Sequence, residues 1–431
     1  MKIVRTSDKG FEKEFKRIVN RGKSFDPTFE KKVAAILRDV EKRGDRALFE
    51  YTKRFDGAAL TAKTVEVSSI EIREALCNVS RQELSVLTLA AKRIESYHRR
   101  QRLATWSYRE EGVELGQKIV PLSRVGIYAP GGLAAYPSTV LMAAIPARIA
   151  GVPEIVMTSP VGTRGVNPVV IAAAQIAGVD RIFKVGGAQA VAAMAYGTES
   201  IPAVDKIVGP GNAWVATAKK LVFGRTGIDM IAGPSEILVI ADGSADPVVA
   251  AADLLSQAEH DDLASAILLT ADEELAKRVL VEVKAQLKKL SRESIAAKAI
   301  RGYGLVIVTQ DLAEAVEVAN RFAPEHLELL VKDPKAMLAG IRNAGAVFLG
   351  HYTPEAMGDY LAGPNHILPT GGTARFSSPL GVYDFVKRIS VLSFGEKSLA
   401  KFGKTAVEFA AIEGLEAHGK SILSRLKPKK S

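Results

Sequence analysis

Through the first quarter of the chain, apolar residues recur at three- and four-residue spacing, which predicts helices. "DPTFEKKVAAILRDVEKRGDRALFEYTKRF" (26–55) opens with Asp26 as a cap and Pro27 at the first helical position. "SSIEIREALCNVSRQELSVLTLAAKRIESYHRRQ" (68–101) follows the same period, which makes Cys77 a small core residue. From about residue 120 the period changes. Short apolar runs such as "RVGIYAP" (124–130) and "EIVMTSP" (154–160) alternate with helix patterns such as "PSTVLMAAIPARIAG" (137–151), where Pro146 predicts a kink. A second alternation starts near 235 with "EILVIAD" and runs through "SAILLTAD", "GLVIVT", "HLELLV" and "AVFLG". Strands separated by helices of this length imply parallel pairing with right-handed crossovers.

The fold class expected is therefore α/β, with two Rossmann-like, incomplete parallel-sheet domains. Residues 1–115 are expected to form a helical region packing on the second α/β domain. Residues 116–234 form the first domain, 235–380 the second, and 381–431 a helical C-terminal tail. Pro-Glu stands between a helix and a strand at both Pro153-Glu154 and Pro324-Glu325, an echo that hints at two related halves. The echo also supplies a bland reading of Glu325, as a strand-opening residue. His326 breaks the parallel.

Composition narrows the class. The chain has 431 residues, 47% hydrophobic and 25% charged, which suits a globular protein with sizeable cores. No run of about 18 uncharged apolar residues is present, and the charged N-terminus lacks an apolar signal region, so no membrane partner is expected. The single cysteine excludes an intrachain disulfide and a cysteine metal knuckle, and suits a cytoplasmic setting. A net charge of +10 raises the question of nucleic acid, but the basic residues are dispersed, with small clusters at 98–102 and 427–430. A solvated basic surface attracting small anions is the reading adopted, with no nucleic-acid partner.

Four stretches carry candidate chemistry. Glu325 and His326 pair a carboxylate with an imidazole able to exchange protons near neutrality. As neighbours on an extended segment they point to opposite faces, unless the turn at Pro324 redirects one. Gln257 and His260 share a face in the last turn of a helix begun by Pro247; a histidine favoured by the helix dipole is the alternative. Asp359 and His366 sit in a long Gly-, Pro- and Asn-rich loop. Glu413 and His418 lie in the tail. Imidazole, carboxylate and amide oxygen together suit zinc or a similar divalent ion. "KVGGAQAV" (184–191) and "VGPGNAWV" (208–215) place glycines between strand and helix. Either helix start could hold a phosphate, or the glycines only permit tight turns. His98 and His351 read as structural or surface residues.

Taken together, "GIYAPGG", "GGAQA", "GPGNA", "AGPSEILV", "SQAEHD", "RFAPEHLEL", "GDYLAGPNHILPTGGTARFSSPLGVYDFVKR" and "EGLEAHG" resemble the histidinol dehydrogenase family. The resemblance implies a cytoplasmic, NAD-dependent homodimer with one Zn2+ per subunit, acting in the last steps of histidine biosynthesis. It marks Gln257, His260, Asp359 and His418 as similar to the family's metal ligands, and Glu325 and His326 as similar to its acid–base pair. Tyr128, Gln189 and Asn212 match NAD-contacting positions in the first domain. Ser235, His366 and Glu413 match substrate-contacting positions, alongside His326 and the metal ligands. The tail would reach the partner's active site and supply His418 in trans. Another small polar alcohol, such as a sulfonated diol, is the alternative substrate.

Overall fold

The structure, a computed structural model, describes residues 1–21, 27–131, 136–161 and 165–426. The cap expected at Asp26 and the basic cluster at 427–430 lie outside the described residues. In chain order the strands are β1 (Lys2–Arg5), β2 (Trp106–Glu110), β3 (Val113–Pro121), β4 (Arg124–Tyr128), β5 (Glu154–Thr158), β6 (Arg181–Phe183), β7 (Lys206–Val208), β8 (Gly227–Ile228), β9 (Glu236–Ala241), β10 (Ser265–Thr270), β11 (Leu305–Val308), β12 (His326–Leu330), β13 (Ala346–Leu349) and β14 (Val386–Phe394). The chain divides into two units. One holds residues 1–101 and 123–385, the other residues 102–122 and 386–431.

The larger unit contains two parallel sheets, ordered β6-β5-β4-β7-β8 and β1-β11-β10-β9-β12-β13. Apart from β1, each sheet winds outward from its first strand in one direction, then returns to the other side. Both therefore have a switch point, between β4 and β7 in one and between β9 and β12 in the other. The Pro-Glu echo is not a repeat of position. Glu154 opens β5, the second strand of its sheet, whereas Glu325 precedes β12, the fourth of the other.

The central strands of the second sheet are buried on both faces, so they read as continuous apolar runs while still alternating sides. Ile237, Val239, Leu268 and Leu330 pack under the helices Pro247–Ala258 and Glu273–Leu287. Leu238, Ile240, Leu327 and Leu329 face the helices Phe11–Val19 and Leu312–Phe322.

The N-terminal region differs from expectation. Only β1 and the helix Phe11–Val19 join the second sheet. The helices Pro27–Arg43 and Asp45–Asp56 cover Gly187–Tyr196 of the first, in one core with Phe183 and Ile207. The helices Ser69–Cys77 and Arg81–His98 pack on its other helices. Cys77 is exposed, not core: it ends a helix whose buried residue is Ala75. The tail is not wholly helical either. β14 pairs antiparallel with β3 along nine residues, and β2 completes this small sheet in the lesser unit. β14 escaped notice because its partner lies far back in the chain. The helices Glu396–Ile412 and Glu416–Leu426 then pack on each other. Among the described residues no helix is long and apolar enough to cross a membrane.

His98, structural as expected, is fully buried, with Nδ1 2.7 Å from Gln101 Oε1 and Nε2 without a partner. Burial lowers its pKa, and the bond to Gln101 opposes this only in part. The folded pKa lies below the unfolded value of about 6.5, so the unfolded chain binds the proton more readily. The stability His98 contributes is present above about pH 6.5 and is lost as pH falls towards the folded pKa. Urea midpoints taken at pH 7.5 and 5.5 should show a smaller acid loss in His98→Gln than in the unaltered protein; identical losses would contradict this assignment.

Candidate active site

The parallel register sets Glu325 beside Glu236 at the amino ends of β12 and β9. Ala323 makes this approach possible. It closes the preceding helix in the left-handed region, φ +51°, which costs a residue with a Cβ about 1–2 kcal/mol. The two candidate catalytic side chains, expected on opposite faces, both end on the main chain of Glu236. Its N–H donates to Glu325 Oε2 at 2.9 Å, and its C=O lies 3.0 Å from His326 Nδ1. A carbonyl can only accept, so Nδ1 carries the hydrogen and Nε2 has the lone pair. That Nε2 is buried without a partner, 3.5 Å from Glu355 Oε1.

Burial lowers the His326 pKa to about 4, with the Asp359 charge pulling the other way. Its close contacts with Glu325 and Glu355 are thus those of a neutral imidazole rather than ion pairs. Burial, then the neighbouring Glu236 carboxylate, raises Glu325 well above the usual carboxyl range. Burial and Asp359 raise Glu355 to about 8.

Around this pair the long loop and the helix Pro247–Ala258 bring further donors. Gln257 lies in the last turn of that helix, which Asp246 caps at its start, and its Oε1 is buried without a partner. His260 lies just past the helix, its N–H donating to Gln257 O at 3.2 Å, and its proximity helps to lower the pKa of both His326 and His366. Asp359 sits in the short helix Glu355–Tyr360. His366 Nδ1 is 3.0 Å from the Asp359 carbonyl and 3.7 Å from its carboxylate, and Nε2 is 3.3 Å from Thr139 Oγ1. Pro146 explains how this loop is anchored. It stays within the helix Pro137–Ala150, but it has no N–H for the carbonyl of Met142. Asn365 Nδ2 supplies the missing donor at 2.6 Å, next to His366.

Ligand atoms of His326, Glu355 and Asp359 lie within 4.8 Å of one another. Gln257 Oε1, His326 Nε2 and Glu355 Oε1 are all buried lone-pair atoms lacking a partner. Such atoms need a proton or a cation, and this mixed nitrogen and oxygen set fits zinc or a similar divalent ion. Of the expected ligands, Asp359 belongs to this group, Gln257 contributes a buried unpartnered oxygen, and His260 is an electrostatic neighbour of His326 and His366. The group itself brings in His326 and Glu355 instead, and Ser235 directly precedes Glu236. Glu413 and His418 are exposed in the lesser unit, at the end of Glu396–Ile412 and within Glu416–Leu426.

Sequence reading missed Glu236, Arg21, Glu355, Glu328 and Asp253. Glu328 lies fully buried in β12, and its Oε1 accepts the Glu355 N–H at 2.6 Å. Asp253 is its close neighbour, and burial raises both carboxyls. A glutamate inside "HLELLV" and another inside "SEILVI" were the available signals, since a charge in an apolar strand is rarely idle.

A separate cavity of about 430 Å³ lies at the carboxyl ends of the first sheet, at its switch point. Tyr128, Gln189 and Asn212 all line it, with Ile36, Phe55 and Asp56 added by the N-terminal helices. The Tyr128 hydroxyl accepts the Gly187 N–H at 3.0 Å, and Asn212 caps the helix Ala213–Val222. Gln189 Nε2 is buried without a partner. Gly209 is required here: its φ is +111°, and a Cβ would stand 2.3 Å from the Tyr128 carbonyl oxygen.

A family profile described as histidinol dehydrogenase matches residues 19–426. Histidinol dehydrogenase of Syntrophotalea carbinolica is 57% identical over 428 residues, covering 99% of both chains. That of Geobacter metallireducens is 56% identical over 429 residues, covering 99% of this chain and 98% of its own. The crystal structure of histidinol dehydrogenase from Elizabethkingia anophelis superposes with a TM-score of 0.94 at 38% identity, covering 100% of this chain and 99% of that one. With the profile and relatives matching along nearly its whole length, the chain belongs to the histidinol dehydrogenase family of oxidoreductases.

Proposed function

We propose that the protein oxidises L-histidinol to L-histidine through bound L-histidinal, using two NAD and one water. The observation that carries this reading is the convergence of a free-base imidazole, a high-pKa carboxyl group and unpartnered metal-type donors beside one buried strand end. Gln257, His260 and Asp359 would hold Zn2+, with His418 supplied by a second copy of the chain. When bound, the zinc supplies a Lewis acid that orients the substrate, and NAD accepts hydride. Ser235, His366 and Glu413 would complete the substrate contacts.

His326 Nε2 takes the hydroxyl proton as hydride leaves the carbinol carbon. Glu325 in its ionised form next removes a proton from water, which adds to the aldehyde. His326, its first proton passed on to solvent, then takes a proton from the hydrate as the second hydride leaves. Each turnover releases two NADH and consumes one water. Tyr128, Gln189 and Asn212 would contact NAD in the first-sheet cavity.

The lesser unit supports a homodimer. β2 is exposed along its whole length and β14 along nearly all of it, with Trp106 and Tyr108 stacked in the open. Leu392, Phe394, Phe409 and Ile412 are exposed in the same unit. A second copy would cover this apolar surface. The enzyme is read as cytoplasmic.

The deciding measurement is NADH formation from L-histidinol before and after chelation. Chelation should abolish turnover and added Zn2+ should restore it; turnover indifferent to chelation would remove the metal from the scheme. Mixing His260→Ala with His418→Ala chains should regain on the order of a quarter of the intact sites. No gain, with mixed dimers demonstrated, would place His418 outside the partner's site. Many aldehyde oxidations use a thiol ester, but Cys77 is an exposed residue at a helix end. Cys77→Ala should leave both oxidations intact, and loss of the aldehyde step alone would overturn the water route.

A further inference from the structure

Glu236 and Arg21 have no part in the chemistry proposed above, yet they are among the most completely enclosed charges in the chain. Their side chains are each 2% exposed, and Arg21 Nη1 lies 3.0 Å from Glu236 Oε1. The rest of the Arg21 guanidinium is spent on main-chain carbonyls. Nε donates to Leu263 O at 3.0 Å, Nη1 to Ile18 O at 3.2 Å, and Nη2 to Pro234 O at 3.4 Å and Ser235 O at 3.2 Å. These carbonyls belong to the end of the first helix and to the segments entering β9 and β10. One planar fork thus fixes where both strands begin.

The Glu236 carboxylate is also fully used. Oε1 accepts the Gly371 N–H at 3.2 Å, which ties down the long loop, and Oε2 accepts the Glu325 N–H at 3.2 Å. The Glu236 main chain binds the two proton-handling groups, Glu325 through its N–H and His326 through its C=O. The link between Glu236 and Glu325 is reciprocal, each backbone N–H donating to the other's carboxylate. Removing a charged partner from such a closed set leaves a buried group unpaired, and the main chain must move to satisfy it.

We propose that Arg21 and Glu236 are a positioning pair for the oxidation: Arg21 locks the Glu236 side chain and the Pro234 and Ser235 carbonyls, and the Glu236 main chain, through its N–H and C=O, thereby holds the Glu325 carboxylate and the His326 imidazole in their working orientation. Neither residue touches substrate. The pair governs how well the proton is received, not how well substrate, NAD or metal is held. This inference rests on the histidinol-oxidising reading.

The test uses full-length, zinc-loaded protein, with kcat, KM for L-histidinol and NAD, zinc per subunit and thermal midpoint measured for Arg21→Met and Glu236→Gln. Displacing acid–base groups by about 1 Å costs on the order of a hundredfold, so kcat should fall by about that factor in Arg21→Met. Both KM values should stay within about twofold and zinc content should be unchanged. Guanidinium at low millimolar concentration should restore part of the Arg21→Met rate. Glu236→Gln is nearly isosteric, so it carries the test if Arg21→Met fails to fold, and its kcat should drop with the same unchanged KM values. An unaltered kcat in Glu236→Gln overturns the inference. So does a loss of kcat that moves in step with KM, zinc content and folded fraction. If the unaltered protein does not turn over histidinol, the functional reading itself fails, which is a separate result.

Discussion

The chemistry depends on one pairing, that of β12 with β9. The parallel ladder brings the Glu325-His326 step against Glu236 and hands the two side chains to the N–H and the C=O of that one residue. The alternation of β12 then puts His326 and Glu328 on the face with Leu330, under the helix that carries Asp253 and Gln257. Carboxyl groups in such a place cost solvation unless they share protons or meet a cation. Burial accordingly raises Asp253, Glu325, Glu328 and Glu355 together.

The two sheets wind alike but are used at opposite edges. The cavity of the first sheet opens at the carboxyl ends of β4 and β7, where neighbouring connections diverge and leave a crevice. Glu325 and His326 of the second sheet stand at the amino ends of β9 and β12. At the carboxyl edge of that switch point, Asp242 instead accepts the N–H groups of Ser244 and Lys332, closing the crevice with the protein's own atoms. Two sheets of one winding thus carry a roomy cavity at one edge and a crowded polar cluster at the other.

Helical defects position the cluster as much as the sheets do. Pro146 leaves the Met142 carbonyl unmet, and Asn365 docks on it, bringing His366 alongside. Ala323 adopts the left-handed region at the end of its helix, and the chain turns directly into Glu325. In each case an unfavourable local feature is offset by a contact from a distant segment.

The apolar runs and their flanking glycines and prolines announced the alternating strands, the parallel sheets and most of the loop expected from 358 to 378, whose first residues instead end the short helix Glu355–Tyr360, because each arises from local period and turn chemistry. The motifs singled out Glu325, His326, Gln257, His260, Asp359 and His366, because imidazoles and amides beside strand ends stand out among apolar neighbours. Tertiary structure alone decided the rest. The charge of Glu328 is invisible as a site feature until Asp253 and Glu355 meet it, and Arg21 lies far from Glu236 in sequence. β14 needed β3 to become a strand, and the N-terminal helices needed the faces of the first sheet to find their place. Local pattern fixes conformation, but burial and partner choice are long-range, and they determine which charged groups are left wanting a proton or a cation.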